Sequence, residues 1–291
     1  MEQALKNRVC MVTDATNGIG KATAQGLAAM GGEVVVVGRT VEKAEQAATD
    51  IRAATGNQAV SALAADFESL DEVRALAKTF LEKHDKLHVL VNNAGMMAME
   101  RRKTRDGFEI QFGVNHLATF LLTNLLLDLL RKSAPARIIT LSSQFHRKGE
   151  IDFSALTPQN SGGDYKGLKV YGNTKLANVL FANELARRLV GAGVTSNSLH
   201  PGAVNTGIMA HEKGVMAFLM RAMGPLMLTP EKGAATSLYL ATSPEVATTT
   251  GQYFEKCKVA PTCAAAHDEE IAAKLWAVSE TLTGLDNDPQ S

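Results

Sequence analysis

Short runs rich in β-branched residues recur along the chain, at positions 9–13, 34–37, 60–64, 87–91, 137–141, 194–199 and 252–255. Between them lie longer segments, among them 21–30, 41–54, 70–83 and 176–189, whose apolar residues return at intervals of three and four. A strand followed by a helix, repeated this often, predicts a parallel sheet with helices on both faces. The unbroken valines at 34–37 agree, because a strand apolar on both sides of its pleat must be covered on both. The expected class is therefore α/β, a doubly wound parallel sheet.

No Pro/Gly/Ser linker and no internal repeat divides the chain, so one domain is expected over residues 1–285, with a polar insertion at 149–168 and a flexible tail at 286–291. A hydrophobic fraction of 45% is enough to build a sizeable core. Thirty basic residues balance thirty acidic ones, so no net field draws the protein to nucleic acid or to an anionic membrane. Residues 1–8 hold no apolar stretch, and the leucine-rich segment 120–130 is short and broken by Thr123, Asn124 and Asp128; neither a signal peptide nor a membrane anchor is expected. Cys10, Cys257 and Cys263 are too few for a disulfide framework or a metal site, which fits a reducing, cytoplasmic setting. Small molecules remain as the partner class.

Two local patterns carry chemistry. After the first strand comes Thr13-Asp14-Ala15-Thr16-Asn17-Gly18-Ile19-Gly20, followed at once by a helix. Small residues there let the backbone approach a pyrophosphate, and the helix start supplies unpaired N–H groups and a positive dipole end. The second pattern is Tyr171-Gly172-Asn173-Thr174-Lys175, where a spacing of four on one helix face sets an ammonium beside a phenol. Such a phenol can exchange a proton near neutral pH, the phenolate being favoured by the neighbouring charge. Ser142-Ser143 closes the fifth strand, at the end of a parallel sheet where ligands bind.

Taken with Asn92-Asn93-Ala94-Gly95 after the fourth strand and with Asn115, these motifs resemble the short-chain dehydrogenase/reductase family over residues 8 to about 284. Lys175-Leu176-Ala177-Asn178-Val179, His200-Pro201-Gly202, Tyr253-Phe254 and Leu275-Trp276 resemble its retinol-dehydrogenase-like branch. The resemblance implies a Rossmann-type fold and a tetrad of Asn115, Ser143, Tyr171 and Lys175. Tyr171 would be the general acid/base, and Ser143 would bond the substrate oxygen. Lys175 would also hold the nicotinamide ribose, and Asn115 a water on the proton path. It further implies that Asp66 and Phe67 meet adenine, that Asn93, Ala94 and Gly95 run along the adenosine ribose, and that Pro201, Gly202, Val204 and Thr206 border the nicotinamide. Residues 205–229 would form a lid on the substrate side.

Asp14 departs from the family pattern, which has glycine there. A carboxylate about 5 Å from a 2′-phosphate costs roughly 3 kcal/mol at an effective dielectric near 20; facing a ribose hydroxyl it would instead favour NADH. Against it stand Arg39 and Thr40 at the tip of the second strand, where no acid waits for a ribose diol and an arginine suits a 2′-phosphate. NADP(H) is the preferred cofactor on this reading, with NAD(H) possible. Met96, Met97 and Met99, together with Met209, Met216, Met220, Met223 and Met227, would make an adaptable apolar wall for a lipophilic ketone, aldehyde or alcohol. The alternatives are an NAD(H)-dependent alcohol dehydrogenase and a non-enzymatic dinucleotide-binding regulatory or scaffold protein disabled by Asp14. Segments 120–130 and 176–189 offer apolar faces for a homodimer or homotetramer.

Overall fold

The structure is a computed structural model and describes residues 3–156, 164–204 and 227–285. Its sheet runs in the order β3-β2-β1-β4-β5-β6-β7-β8. The strands are β1 (Val9–Val12), β2 (Glu33–Gly38), β3 (Val60–Ala64), β4 (Val89–Asn92), β5 (Ala136–Leu141), β6 (Val194–His200), β7 (Tyr253–Glu255) and β8 (Lys258–Val259). All neighbours are parallel except β7 and β8, which pair antiparallel with Phe254 opposite Val259. Sequence reading missed β8 because both of its residues are exposed and no apolar alternation marks it. The strand order reverses between β1 and β4, and the crevice beyond the strand ends at that switch is where open α/β sheets hold ligands.

The period-2 alternation divides the core. Met11, Val35, Val37, Leu90 and Ile138 point to one face, and Cys10, Val12, Val34, Val36, Val91 and Ile139 to the other. The second face is covered by α1 (Gly18–Ala29), α2 (Val41–Thr55) and α7 (Pro230–Thr242). The first is covered by α3 (Leu70–Lys83), α4 (Ala118–Leu125) with the short α5 (Leu127–Lys132) after it, α6 (Gly167–Arg188) and α8 (Glu269–Thr283). Local signals fix the helix ends. Ser69, Thr229 and Asp268 cap α3, α7 and α8 through their side chains, and Gly56 and Gly284 end α2 and α8 in the left-handed conformation.

Part of the apolar surface of 120–130 and 176–189 is packed within the chain. Trp276 of α8 meets Phe120 edge-on at 4.9 Å and stacks on Phe181 at 5.7 Å, while Arg188 lies over its ring at 4.2 Å. Phe120, Leu121, Leu122, Leu180, Phe181 and Leu185 are accordingly buried within the single chain. Among the described residues no helix is long and apolar enough to cross a membrane.

Candidate active site

The phosphate-loop residues do two separate jobs. Thr13 is buried and faces inward: its Oγ1 accepts the backbone N–H groups of Asn93 and Ala94, both at 2.9 Å. Asn93 Nδ2 in turn donates to the carbonyls of Thr13 and Asp14, at 2.8 and 3.1 Å. The loop after β1 is thus stitched to the loop after β4. Asp14 sits at φ 49, a left-handed conformation that Asp tolerates better than most residues, so the turn survives loss of the glycine. Gly20 is obligatory, since a Cβ there would stand 2.2 Å from the Asp14 carbonyl oxygen. Thr16 packs its methyl group under Gly38. Asn17 is the N-cap of α1 yet makes no side-chain capping bond, so the first-turn N–H groups open onto a cleft of about 360 Å³. Asp14, Asn17, Gly18, Ile19, Gly20, Gly95, Tyr171, Lys175 and Pro201 are among the residues that line it. A glycine-tight turn, open helix N–H groups and a cleft leading to Tyr171 fit a nicotinamide dinucleotide.

Arg39 and Asp14 stand at one end of this cleft, where a smaller cavity of about 50 Å³ opens between Val37, Ala65, Phe67, Ala94 and Val114. Its apolar walls suit a flat base. Asp66 borders it, but its carboxylate is already committed: Oδ1 accepts from Glu68 N at 3.1 Å and Oδ2 from Arg105 at 2.9 Å. Thr40 is used as the N-cap of α2. Although Asp14 opens to the cleft, the walls around its carboxyl desolvate it and push its pKa up to about 6, with the charge of Arg39 pulling the other way. Sequence reading missed Glu68 and Arg102, which line the same cleft and pair at 3.3 Å. They come from two different loops, and no local spacing announces them.

The tetrad is assembled from four elements. Asn115 lies in a π-helical turn, Gly113–Leu117, between a short turn Ile110–Phe112 and α4. π-turns within helices mark functional sites often enough to be a signal, though none of it is legible in composition. The Asn115 amide is held on both sides: Oδ1 accepts from Met96 N at 2.7 Å, and Nδ2 donates to Met96 O at 2.9 Å and Thr174 Oγ1 at 3.0 Å. Both donors of the side chain are used, which leaves one lone pair on Oδ1 for a water. Asn115 and Lys175 converge on Gly95, whose missing Cβ would sit 3.4 Å from Asn115 Oδ1 and 3.2 Å from Lys175 Nζ. Lys175 Nζ donates to Leu141 O at 3.3 Å and stands 5.4 Å from the centre of the Tyr171 ring. The Ser143 hydroxyl lies near enough to the Tyr171 phenol to favour its ionised form, and itself accepts from Phe145 N at 3.4 Å.

Electrostatics in this pocket differ from the sequence expectation. Burial pushes the Tyr171 phenol up to about 12, against a smaller lowering by the nearby Ser143 hydroxyl. Burial likewise lowers Lys175 to about 8. Desolvation dominates at Tyr171 and favours its protonated form.

Met96 and Met97 line the cleft, Met96 also borders the smaller cavity, and Met97 packs with Met99 and Leu168 around Tyr171. Gly202 holds φ 91, and Val204 forms a strand-like bridge with Leu228 and packs against α7 at Gly233. Thr206, Met209, Met216, Met220, Met223 and nearly all of the expected lid lie outside the described residues, as does the middle of the 149–168 insertion.

The family model for short chain dehydrogenase matches residues 8–214. Human retinol dehydrogenase 13 is 45% identical over 288 residues, covering 97% of this chain and 86% of its own. Human retinol dehydrogenase 11 is 44% identical over 281 residues, covering 97% and 87%. Among solved structures, an uncharacterised protein from Mycobacterium paratuberculosis superposes with a TM-score of 0.76 at 32% identity, covering 96% of this chain and 94% of the other. A Pseudomonas aeruginosa protein complexed with NADP (TM-score 0.67, 28% identity, 87% and 97% covered) shares the fold, as does a Brucella melitensis 3-ketoacyl-(acyl-carrier-protein) reductase complexed with NADH (0.67, 25%, 86% and 96%).

Proposed function

The chain belongs to the short-chain dehydrogenase/reductase family, with retinol-dehydrogenase-like relatives, and is a short-chain oxidoreductase; on that premise we propose that it reduces a lipophilic ketone or aldehyde at the expense of NADPH. The observation that supports this reading is the buried Tyr171, with Lys175 5.4 Å from its ring and the Ser143 hydroxyl near its phenol. Reduction needs a proton donor at the carbonyl oxygen, and a phenol pushed up to about 12 is in that form at neutral pH.

The roles are those the family resemblance implies. Ser143 Oγ bonds the substrate oxygen and stabilises charge growing there, and Tyr171 Oη delivers the proton. Lys175 stands beside Tyr171 and would hold the nicotinamide ribose; Asn115 fixes the loop at Met96, and its remaining lone pair would hold a water on the proton path. The nicotinamide, when bound, supplies the hydride. Met96 and Met97, flexible and apolar, favour bulky lipophilic carbonyls, and retinal is the first to try because the relatives are named for retinol. The preference for NADPH rests on Arg39 at the adenosine end, against the charge of Asp14. Three free thiols suit a cytoplasmic setting.

Parallel calorimetric titrations with NADPH and NADH test the cofactor choice. Tighter NADPH binding that is lost in Arg39→Ala supports it. Tighter NADH binding that weakens in Asp14→Ala turns the protein into an NAD(H)-dependent alcohol dehydrogenase, and no binding of either at millimolar concentration favours a non-enzymatic protein.

A further inference from the structure

Ser143 stands at the start of a short 3-10 turn, Gln144–Lys148, whose side chains the proposed chemistry does not use. Several of them are nevertheless tied down. Gln144 Nε2 donates to Glu255 Oε1 at 2.7 Å, and Arg147 donates to Pro261 O at 3.2 Å, so the turn is held against β7 and the segment that follows it. On its other side the turn lies directly on the tyrosine helix α6: a Cβ on Gly149 would stand 2.5 Å from Gly172 O, and one on Gly172 2.9 Å from Phe145 O. Phe145 itself meets Tyr171 edge-on at 5.8 Å. The turn is the piece that sets the distance between Ser143 and Tyr171.

At its centre is His146, wholly buried, with Nδ1 2.7 Å from the Ser143 carbonyl oxygen and its ring 4.6 Å from that of Tyr253. A carbonyl can only accept, so Nδ1 carries the proton and the ring is in the Nδ1–H tautomer. Burial pushes the imidazole pKa down and keeps it neutral, while Cys263 Sγ donates to the His146 carbonyl at 3.5 Å from the opposite side.

We propose that His146 is a positioning residue for Ser143: its Nδ1–H holds the Ser143 carbonyl, with the ring wedged on Tyr253, and so fixes the aim of Ser143 Oγ toward Tyr171 and the substrate oxygen. This rests on the proposed reductase reading. His146 touches no reacting atom, and its influence passes through the Ser143 backbone.

Two substitutions separate the hydrogen bond from the packing. His146→Phe keeps a ring against Tyr253 and removes the donor; His146→Asn restores an N–H near the position of Nδ1 with less packing. With NADPH and a lipophilic aldehyde, His146→Phe is expected to lower kcat by between about tenfold and a hundredfold, the scale of loss when a reacting group drifts by about an ångström. NADPH affinity stays unchanged, and His146→Asn recovers most of the rate. In a Ser143→Ala background the added His146→Phe costs less than about twofold, because residues acting as a unit are not additive. Wild-type kcat in a folded His146→Phe protein overturns the proposal, as does an undiminished loss in the Ser143→Ala background or failure of Asn to restore any rate. A wild-type protein that binds NADPH but turns over no carbonyl overturns the reductase reading itself.

Discussion

At Tyr171 and Lys175 the sequence and the structure agree on position and differ on charge. A spacing of four on one helix places them together, and α6 does so. What spacing cannot show is depth: both are buried, and desolvation drives the phenol up to about 12 and the ammonium down to about 8. Lys175 therefore loses its charge as pH rises through about 8, while Tyr171 stays protonated. The kcat/KM for reduction is expected to fall over that interval, and a pH profile of the free enzyme checks it. Asp14 gives a second test. Its folded pKa, about 6, lies above the ordinary carboxylate value of 3.8, so the folded state binds the proton more tightly and ionisation destabilises it. That penalty is absent below pH 4 and complete above about pH 6. Asp14→Asn, which keeps a residue tolerant of left-handed backbone, should raise the Tm at pH 7.5 and leave it unchanged at pH 4, as differential scanning calorimetry would show. The Glu68–Arg102 pair and the engagement of Asp66 by Arg105 escape a sequence reading because the partners lie 34 and 39 residues apart, with no periodicity linking them.

Among elements, those written in hydrophobic alternation were the legible ones. The buried strands β1 to β7 all fall on the expected runs, whereas the exposed β8 does not register. The π-turn that carries Asn115 and the 3-10 turn that carries Ser143 depend on contacts from Met96, Thr174, Tyr253 and Cys263, all distant in sequence. The phosphate loop is the opposite case, a local motif read at once. Its weak point is Gly20 rather than Asp14, because a Cβ 2.2 Å from the Asp14 carbonyl cannot fit without moving the loop off Asn93. Gly20→Ala is expected to abolish measurable binding of both dinucleotides in calorimetry while circular dichroism stays close to wild type.

For the molecule as a whole, the C-terminal helix α8 changes what the apolar helix faces are for. Phe120 and Phe181, on two of these faces, pack on Trp276, and His116 Nε2 is within 2.9 Å of Ser279 Oγ. Trp276→Ala should cost about 3–5 kcal/mol of unfolding free energy in a denaturant titration, as for other buried aromatic truncations. The most direct measurement on the molecule is the loss of reduced nicotinamide absorbance when NADPH and retinal are mixed with wild-type protein and with Tyr171→Phe, alongside calorimetric NADPH binding to each. Consumption by the wild type, none by Tyr171→Phe and equal NADPH affinity for both is the expected result; equal consumption by the two proteins would remove Tyr171 as the proton donor and the proposed mechanism with it.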